Sequence, residues 1–251
     1  MAVQEQIIYG LIGFPLEHSF SPQYFAEKFK KEKLPNHHYQ LFEVESLTEV
    51  KQIFETKGLK GLNVTIPYKK EIIPYLDGLS VAAQKTQAVN VINIVKGKFI
   101  GHNTDYIGFQ KSLKYFLSGA KIENALILGS GGSSSAVELA LNNLNINTTI
   151  VSRKAGTNNL TYNELDRSVI ESNRLIINTT PLGMYPQINK KPDIPLDFIS
   201  KNHFIFDLIY NPEKTLFLKS AEDKGAKIKN GLEMLYLQAE EAWKIWNNTN
   251  S

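Results

Sequence analysis

The chain has no cysteine among its 251 residues. Disulfides, zinc–thiolate sites and thiol catalysis are therefore excluded. Its five histidines have no ligand spacing, so we predict no metal site. No apolar run approaches the roughly 20 residues that span a bilayer, and no basic residue precedes the first apolar stretch, as one would in a signal peptide. These absences favour a cytoplasmic protein without a membrane partner.

Charge of either sign is also modest, with a formal net charge of +3. Lysines cluster between Lys28 and Lys33 and again between Lys214 and Lys229. Such clusters occur in nucleic-acid stripes and, more often, on solvated helix faces. No interleaved aromatic residues support the first interpretation, so we predict no nucleic-acid partner. A mild positive bias would still gather small anionic molecules.

Alternating strand and helix patterns predict an α/β fold. Short apolar runs bounded by turn residues predict strands over 7–12, 39–44, 61–66, 89–95, 98–102, 125–128, 148–151, 174–177 and 204–208. Helical spacing predicts helices over 46–57, 133–144 and 232–246, one from 106, and one N-capped by Ser21. Lys96-Gly97 is typical of a hairpin. The alternation that restarts at 125 predicts a second, parallel and doubly wound sheet with helices on both faces.

A glycine-rich loop follows the predicted strand 125–128 and leads into a helix. Its first glycine permits a tight turn, and its second lets the backbone approach a pyrophosphate at the helix N-terminus. Ser134 takes the place of the third glycine, where a small residue still allows close packing. The alternative is a plain tight turn. The strand–loop–helix context predicts a dinucleotide site at Gly129, Ser130, Gly131, Gly132 and Ser133.

The end of the next strand indicates which dinucleotide binds. Ser152, Arg153 and Lys154 stand where an NAD-selective site usually places an acidic residue. Arg153 can contact a 2′-phosphate bidentately or stack on adenine, and Lys154 adds positive charge. The alternative is a pair of exposed loop cations. We predict NADP(H) as the cofactor.

Two polar strings upstream of this loop contain a possible proton-transfer pair. They are Asn63–Lys69 and Asn103–Asp105. A lysine near an aspartate can exchange protons with an alcohol and stabilise the developing oxyanion, while a dinucleotide carries the hydride. We therefore predict Lys69 and Asp105 as catalytic residues. Either Lys69 or Asp105 can be the residue that carries the proton. The alternative for Lys69 is that it is an exposed cation beside Lys70. The alternative for Asp105 is that it caps the N-terminus of the following helix.

Seven motifs occur in a fixed order along the chain: Gly13–Pro22, Gly61–Lys69, Ala88–Asn90, Gly101–Gly108, Asn178–Met184, Asp207–Pro212 and Gly231–Leu235. In this order they resemble the shikimate dehydrogenase family over nearly the whole chain. The resemblance implies NADP-dependent, reversible reduction of 3-dehydroshikimate to shikimate in aromatic amino acid (chorismate) biosynthesis. It implies a substrate-binding domain at 1–105 plus 231–251, and a Rossmann-like NADP domain at 106–230. Whether the protein is a monomer or a homodimer stays open.

The same resemblance assigns roles in binding a small cyclohexene acid that carries several hydroxyls. Ser19 and Ser21, beside a helix N-terminus, would hold the carboxylate. Other substrate contacts would come from Asn63, Thr65, Lys69, Asn90, Asp105, Tyr210 and Gln238. The nicotinamide side would be lined by Thr179, Thr180, Pro181, Leu208, Gly231 and Met234. For Tyr210 and Met234 the alternative is simple packing.

The chain departs from the family pattern at three positions. Gln87 stands where the family usually has a glycine before its Ala-Val-Asn, and Val91 replaces a usual threonine. Ser152 stands where asparagine commonly precedes the arginine. These changes concern a ring-hydroxyl contact and the adenosine contact, and none removes a predicted catalytic group.

Parts of the sequence fit three other functions. A relative acting on quinate, or on both acids with NAD, is disfavoured by the serine pair and by Arg153 and Lys154. A silent NADP-binding regulator would be expected to lack Lys69 or Asp105. A dehydrogenase using Tyr210 and Lys214 as a Tyr-x-x-x-Lys pair is disfavoured because a proline at 212 would break the helix that aligns them.

Overall fold

The computed structural model describes residues 5–17, 19–154, 156 and 159–247, and over these ranges it has an α/β fold, as predicted. It forms two compact units. The first contains the chain up to Thr104 together with the residues from Ala239 onward, and the second contains Asp105–Gln238. The domain boundaries predicted from the sequence stay a prediction. Within the described ranges, no helix combines the length and the apolar character that crossing a bilayer requires.

A six-stranded mixed sheet forms the centre of the first unit, in the order β2-β1-β3-β5-β6-β4. Its strands are β1 (Ile7–Gly13), β2 (His37–Glu43), β3 (Leu59–Val64), β4 (Gly78–Leu79), β5 (Val91–Val95) and β6 (Lys98–His102). The strands β1, β2 and β3 are parallel, whereas β5 is antiparallel to both β3 and β6. Lys96 and Gly97 both have positive φ between β5 and β6, which confirms the predicted hairpin.

Helices cover this sheet: α1 (Ser21–Lys31), α2 (Val50–Phe54), α3 (Val81–Thr86) and the C-terminal part of α8 (Leu232–Asn247). The predicted packing role of α8 is confirmed, because Trp243 and Trp246 are buried in an aromatic cluster with Tyr9 and Phe25. The indole Nε1 of Trp246 donates to the Ile92 carbonyl at 3.0 Å. Trp246 lies directly on Gly61, where a side chain would leave no room for the indole.

The second unit is built on an all-parallel sheet in the order β12-β11-β10-β7-β8-β9. Its elements are α4 (Asp105–Leu117), β7 (Asn124–Leu128), α5 (Gly132–Asn142), β8 (Asn147–Ser152), β9 (Asn159–Thr161), α6 (Arg167–Ser172), β10 (Leu175–Asn178), β11 (Phe204–Asp207), α7 (Leu216–Glu222) and β12 (Lys227–Lys229). Alternate residues of β7 enter two cores, one with α4 and α5 and the other with α6 and α7. Helices therefore cover both faces, as predicted.

One local prediction was wrong and another gave too long a helix. Ser21 does not cap α1: it is the first helical residue, and the preceding Phe20 already has helical φ and ψ angles. The Ser21 hydroxyl lies near the phenol of Tyr39 instead, where it opposes the rise that burial causes in the pKa of Tyr39. The helix predicted over 46–57 is a 3-10 turn at Leu47–Glu49 followed by the short α2, because the chain then turns at Gly58, with φ of 80°, to enter β3.

Candidate active site

The loops that follow β1 and β3 meet at one edge of the first sheet, since parallel strands end on the same side. The backbone N–H of Thr65 donates to the Ile12 carbonyl at 2.9 Å. The N–H of Phe14 donates to the Ile66 carbonyl at 3.1 Å. Thr65 packs on Gly13, where an added Cβ would overlap the threonine methyl group. The two loops are therefore held together.

A chain of side-chain hydrogen bonds runs across this edge. The Ser21 hydroxyl lies beside the phenol of Tyr39, and that phenol donates to Oδ1 of Asn63 at 2.7 Å. Nδ2 of Asn63 donates to the Asn90 carbonyl at 3.3 Å. Ser19 lies two residues before Ser21, in a turn closed by its own backbone N–H. The structure thus brings Ser19 and Ser21, the residues predicted to bind the carboxylate, close to both asparagines.

Asn90 and Lys69 are anchored at the same place. Oδ1 of Asn90 accepts from the Thr104 N–H at 2.7 Å, and Nδ2 donates to the Thr104 hydroxyl at 2.9 Å. The N–H of Val89 donates to the Lys69 carbonyl at 2.7 Å, which holds the Lys69 backbone beside Asn90. The side chain of Lys69 is half-buried, whereas that of Lys70 is exposed. The two adjacent lysines therefore have different environments.

The backbone conformation at Gln87 shows why the family usually has a glycine at this position. It ends α3 in the left-handed region, with φ of 48° and ψ of 38°. A glycine adopts this conformation without strain, whereas another residue pays roughly 1–2 kcal/mol. The Gln87 side chain offsets part of this cost by donating from Nε2 to the Gln84 carbonyl at 2.7 Å. The missing glycine therefore concerns the backbone turn that leads to Asn90.

The glycine-rich loop of the second unit has the geometry that a pyrophosphate site requires. Gly129 follows β7 with φ of 110°, and an added Cβ there would lie 2.8 Å from Oγ1 of Thr179. An added Cβ on Gly131 would meet no atom within 4 Å, so the space above the loop is open. The N-cap residue of α5, Gly131, makes no side-chain capping bond. The N–H groups of the first turn are thus left for an anion, and the loop fits the cofactor.

The turn after β8 presents the two predicted 2′-phosphate cations. The Ser152 hydroxyl donates to the Lys154 carbonyl at 2.6 Å and thereby fixes the turn. Arg153 and Lys154 are both exposed. Burial raises the pKa of Tyr162, and the positive charge of Arg153 opposes that rise. The Arg153 guanidinium therefore lies near the Tyr162 phenol.

The segment predicted to line the nicotinamide side is fixed by a buried amide. Oδ1 of Asn178 accepts from the Thr180 N–H at 3.0 Å and from the Thr180 hydroxyl at 2.7 Å. Nδ2 of Asn178 donates to Oδ1 of Asp207 at 2.9 Å. The Thr179 hydroxyl donates to the Leu128 carbonyl at 2.8 Å, which ties the segment to the end of β7. Thr179, Thr180 and Pro181 thus adjoin the glycine-rich loop.

Asp207 is a buried carboxylate that supports this segment. Its Oδ1 also accepts from the Ile209 N–H at 3.1 Å, and its Oδ2 accepts from the Thr215 hydroxyl at 2.6 Å. Burial raises the pKa of Asp207 to about 6, while the hydrogen bonds from Thr215, Ile209 and Asn178 act in the opposite direction. The ionised form is therefore disfavoured in the folded protein relative to the unfolded chain.

Asp207 is expected to make stability fall as pH rises from about 4 to about 6. Below this window the carboxyl is protonated in both states. Within it the unfolded chain ionises first, and above it both states are ionised. The shift from 3.8 to about 6 corresponds to about 3 kcal/mol of unfolding free energy. Denaturant titrations at pH 4 and 6.5 should show the stability difference between the wild type and Asp207→Asn changing by about 2 kcal/mol in favour of asparagine at the higher pH, because each titration is incomplete at these two pH values.

The asparagine variant is a suitable reference because its oxygen can accept from Asn178 and Ile209 while its amide donates to Thr215. All other titrating groups cancel in the difference between the two proteins. A difference that does not change between pH 4 and 6.5 would contradict the prediction.

Asp105 begins α4 and is 6% exposed. At Gly108, one turn later on the same helix face, the backbones of α4 and α8 touch. An added Cβ there would lie 2.6 Å from the Met234 carbonyl oxygen and 2.9 Å from the Gln238 nitrogen. Gln238 is 9% exposed, and its Nε2 donates to the Leu235 carbonyl at 3.0 Å. The second unit therefore brings Asp105 and Gln238 to neighbouring positions.

The remaining predicted residues of the second unit surround β11 and the start of α8. The Leu208 N–H donates to the Asn178 carbonyl at 3.0 Å, and Gly231 packs on the Leu208 backbone, where a Cβ would overlap the carbonyl. Met234 is 7% exposed within the hydrophobic core, so packing is at least one of its roles. Tyr210 is half-buried, and burial raises its pKa.

Three residues that support the predicted site have no individual role predicted from the sequence, although two of them lie in the motifs above: Tyr39, Asn178 and Asp207. Asn178 and Asp207 are the last residues of two adjacent buried strands and face each other in register. Polar residues at the ends of buried strands are a signal that sequence reasoning can use. Tyr39 carries no such signal, because its contact with Asn63 depends on the strand order β2-β1-β3.

Comparisons with known proteins give the family. The family model described as the shikimate dehydrogenase substrate binding domain matches residues 11–92. Shikimate dehydrogenase (NADP(+)) of Methanococcus aeolicus is 42% identical over 255 residues, covering 94% of this chain and 90% of that protein.

Solved structures agree. A crystal structure of a shikimate dehydrogenase in complex with NADP+ is 36% identical, with a TM-score of 0.86 over 96% of this chain and 90% of that one. The shikimate 5-dehydrogenase of Thermus thermophilus, in complex with NADP(H) and shikimate, is 28% identical, with a TM-score of 0.84 over 96% and 94% of the two chains. The chain belongs to the shikimate dehydrogenase family.

Proposed function

We propose that this protein catalyses the reversible, NADP-dependent reduction of 3-dehydroshikimate to shikimate, in the cytoplasm, as a step of chorismate and aromatic amino acid biosynthesis. The observation that carries the proposal is the gathering of hydroxyl, amide and ammonium groups at one edge of the first sheet. A polyhydroxylated ring acid needs this mixture of donors and acceptors. The similarity to shikimate dehydrogenases along most of the chain supports the same substrate.

In this proposal the first unit holds the substrate. Ser19 and Ser21 donate hydroxyls to its carboxylate, with the N-terminus of α1 beside them. The ring hydroxyls form hydrogen bonds with Asn63, Thr65 and Asn90. Tyr210 and Gln238 of the second unit complete the set. The proposed domains are residues 1–105 with 231–251 for the substrate and 106–230 for NADP, and the protein is a monomer or a homodimer.

Lys69 and Asp105 are the proposed catalytic pair. In the oxidation of shikimate they accept the hydroxyl proton, and in the reduction they return it to the developing alkoxide. The Lys69 ammonium also stabilises negative charge on that oxygen. Half-burial of Lys69 and near-complete burial of Asp105 reduce screening by water, which strengthens both effects.

The second unit holds the cofactor, which supplies the hydride acceptor or donor when bound. The backbone N–H groups of Gly129–Ser133 bind its pyrophosphate. Arg153 and Lys154, in the turn fixed by Ser152, bind the 2′-phosphate. Thr179, Thr180, Pro181, Leu208, Gly231 and Met234 form the wall on the nicotinamide side.

The purified protein is expected to reduce NADP+ with shikimate, with a much lower rate for quinate and for NAD+. Absorbance of the reduced cofactor, followed with both acids and both cofactors in parallel, tests this. Arg153→Ala should raise KM for NADP+ roughly tenfold to a hundredfold and leave KM for NAD+ within about twofold, because only NADP+ carries the 2′-phosphate.

Arg167→Ala is the matched control. Arg167 is an exposed arginine of the same unit, paired with Glu171 at 3.2 Å and outside the predicted site. Equal activity with NAD+ and NADP+ in the wild type would refute the cofactor assignment. Activity with quinate but not with shikimate would refute the substrate.

A further inference from the structure

Tyr39 holds one of the proposed substrate residues, Asn63, although it has no proposed contact with the substrate itself. It lies on β2, at the edge of the first sheet, and Asn63 lies two strands away on β3. The Tyr39 ring stacks on Phe25 at 4.6 Å between centroids and 9° between planes, which fixes the direction of the phenol. The hydroxyl donates to Oδ1 of Asn63 at 2.7 Å.

These contacts determine which end of the Asn63 amide is available to a ligand. The nitrogen end faces the Asn90 carbonyl, which already accepts from the Val64 N–H at 2.9 Å. The bond from Nδ2 to that carbonyl is 3.3 Å long, at the weak end of the range. The shorter bond from Tyr39 is therefore the stronger constraint on the amide. With the oxygen end fixed by the phenol, the second N–H of Nδ2 is the donor that the amide offers.

The phenol can keep this role at neutral pH. A phenol has one proton, and in Tyr39 that proton goes to Asn63. Burial raises the pKa of Tyr39, which keeps the phenol protonated and able to donate. The orientation of the hydroxyl-binding amide is thus set by one side chain.

We propose that Tyr39 is a positioning residue of the substrate site, which orients Asn63 before the substrate binds. This rests on the proposed function of the same site. Tyr39→Phe keeps the stacked ring and removes only the hydroxyl, which leaves Oδ1 of Asn63 without its buried donor. Since the proposed contact from Asn63 holds substrate and transition state alike, its loss is expected to raise KM and to leave kcat unchanged.

Steady-state kinetics test the proposal. Tyr39→Phe is expected to raise KM for shikimate about tenfold, with kcat and KM for NADP+ within about twofold of the wild type. Tyr9→Phe is the matched control, because Tyr9 is buried in the aromatic cluster that Tyr39 packs against and its described contacts are ring contacts. The control should leave all three constants unchanged.

A double-mutant cycle separates positioning from a general effect on packing. In an Asn63→Ala background, Tyr39→Phe should raise KM by less than about twofold, because the group that it orients is gone. A full tenfold effect in that background, or equal constants for Tyr39→Phe and the wild type, would overturn the inference alone. A wild type without activity on shikimate would overturn the proposed function and this inference together.

Discussion

Replacing Lys69 with alanine is expected to lower kcat for shikimate oxidation by about a thousandfold, because the change breaks the proposed proton-transfer pair and removes the ammonium proposed to stabilise the oxyanion. Asp105→Asn should lower kcat by about a hundredfold or more, since the amide keeps the size of the carboxylate but not its charge. Stopped-time assays at saturating shikimate and NADP+ measure both effects.

Lys70→Ala controls for the loss of a positive charge in the same loop, since Lys70 is the exposed neighbour of Lys69. This variant should retain kcat within about twofold. Melting temperatures of all three variants close to that of the wild type would show that the fold is intact. Near-normal turnover in both Lys69→Ala and Asp105→Asn would remove the proposed mechanism.

Gly61→Ala is expected to destabilise the first unit by about 3 kcal/mol. Gly61 is paired on both sides, with Tyr9 of β1 and Asn93 of β5, so its backbone cannot move away. The added methyl group must displace the Trp246 indole and break its hydrogen bond to Ile92. Overpacking of this kind costs about 1–3 kcal/mol and a lost hydrogen bond about 1 kcal/mol more. The melting temperature should fall by roughly 10 °C.

Gly78→Ala provides the control for Gly61→Ala. Gly78 lies in β4 of the same sheet, and an added Cβ there makes ordinary contact at 3.4 Å with Ile100. Its melting temperature should stay near that of the wild type. The chain has only two tryptophans, both in α8, so a red shift of emission in Gly61→Ala would report the displaced indole directly. Equal melting temperatures and spectra for the two variants would refute the prediction.

The sequence predicts long, periodic elements well and short ones poorly. The strand, glycine-rich loop and helix at 124–142 were predicted nearly to their ends, because a buried strand, a required φ of 110° at Gly129 and a helical apolar face all leave local signals. In contrast, β9, β12 and α6 were not predicted. Each has few apolar positions, and β12 is a single isoleucine between lysines, so its pairing with β11 is decided by the tertiary structure.

The candidate site shows the same division. The motifs gave the polar residues at the ends of β1 and β3, since these stand next to turn residues in the chain. The motifs could not predict the Tyr39–Asn63 hydrogen bond, because it depends on the order of three strands and on the rotamer of a stacked ring. They also missed the environment of Ser21, which is the first residue of α1 and lies near Tyr39 of β2. That proximity is decided only once β2 is in place.

The division of α8 has a consequence for synthesis on the ribosome. Residues 232–238 belong to the second unit and 239–247 to the first, so the tryptophans that cover Gly61 are translated after the whole second unit. A nascent chain that has not reached residue 239 carries an uncovered apolar face on its first sheet, which is the kind of surface that chaperones bind. The amino-terminal core is therefore completed only after the second unit has been translated, and chains stalled before residue 239 should be captured by holdases that release chains extending through the tryptophans of α8.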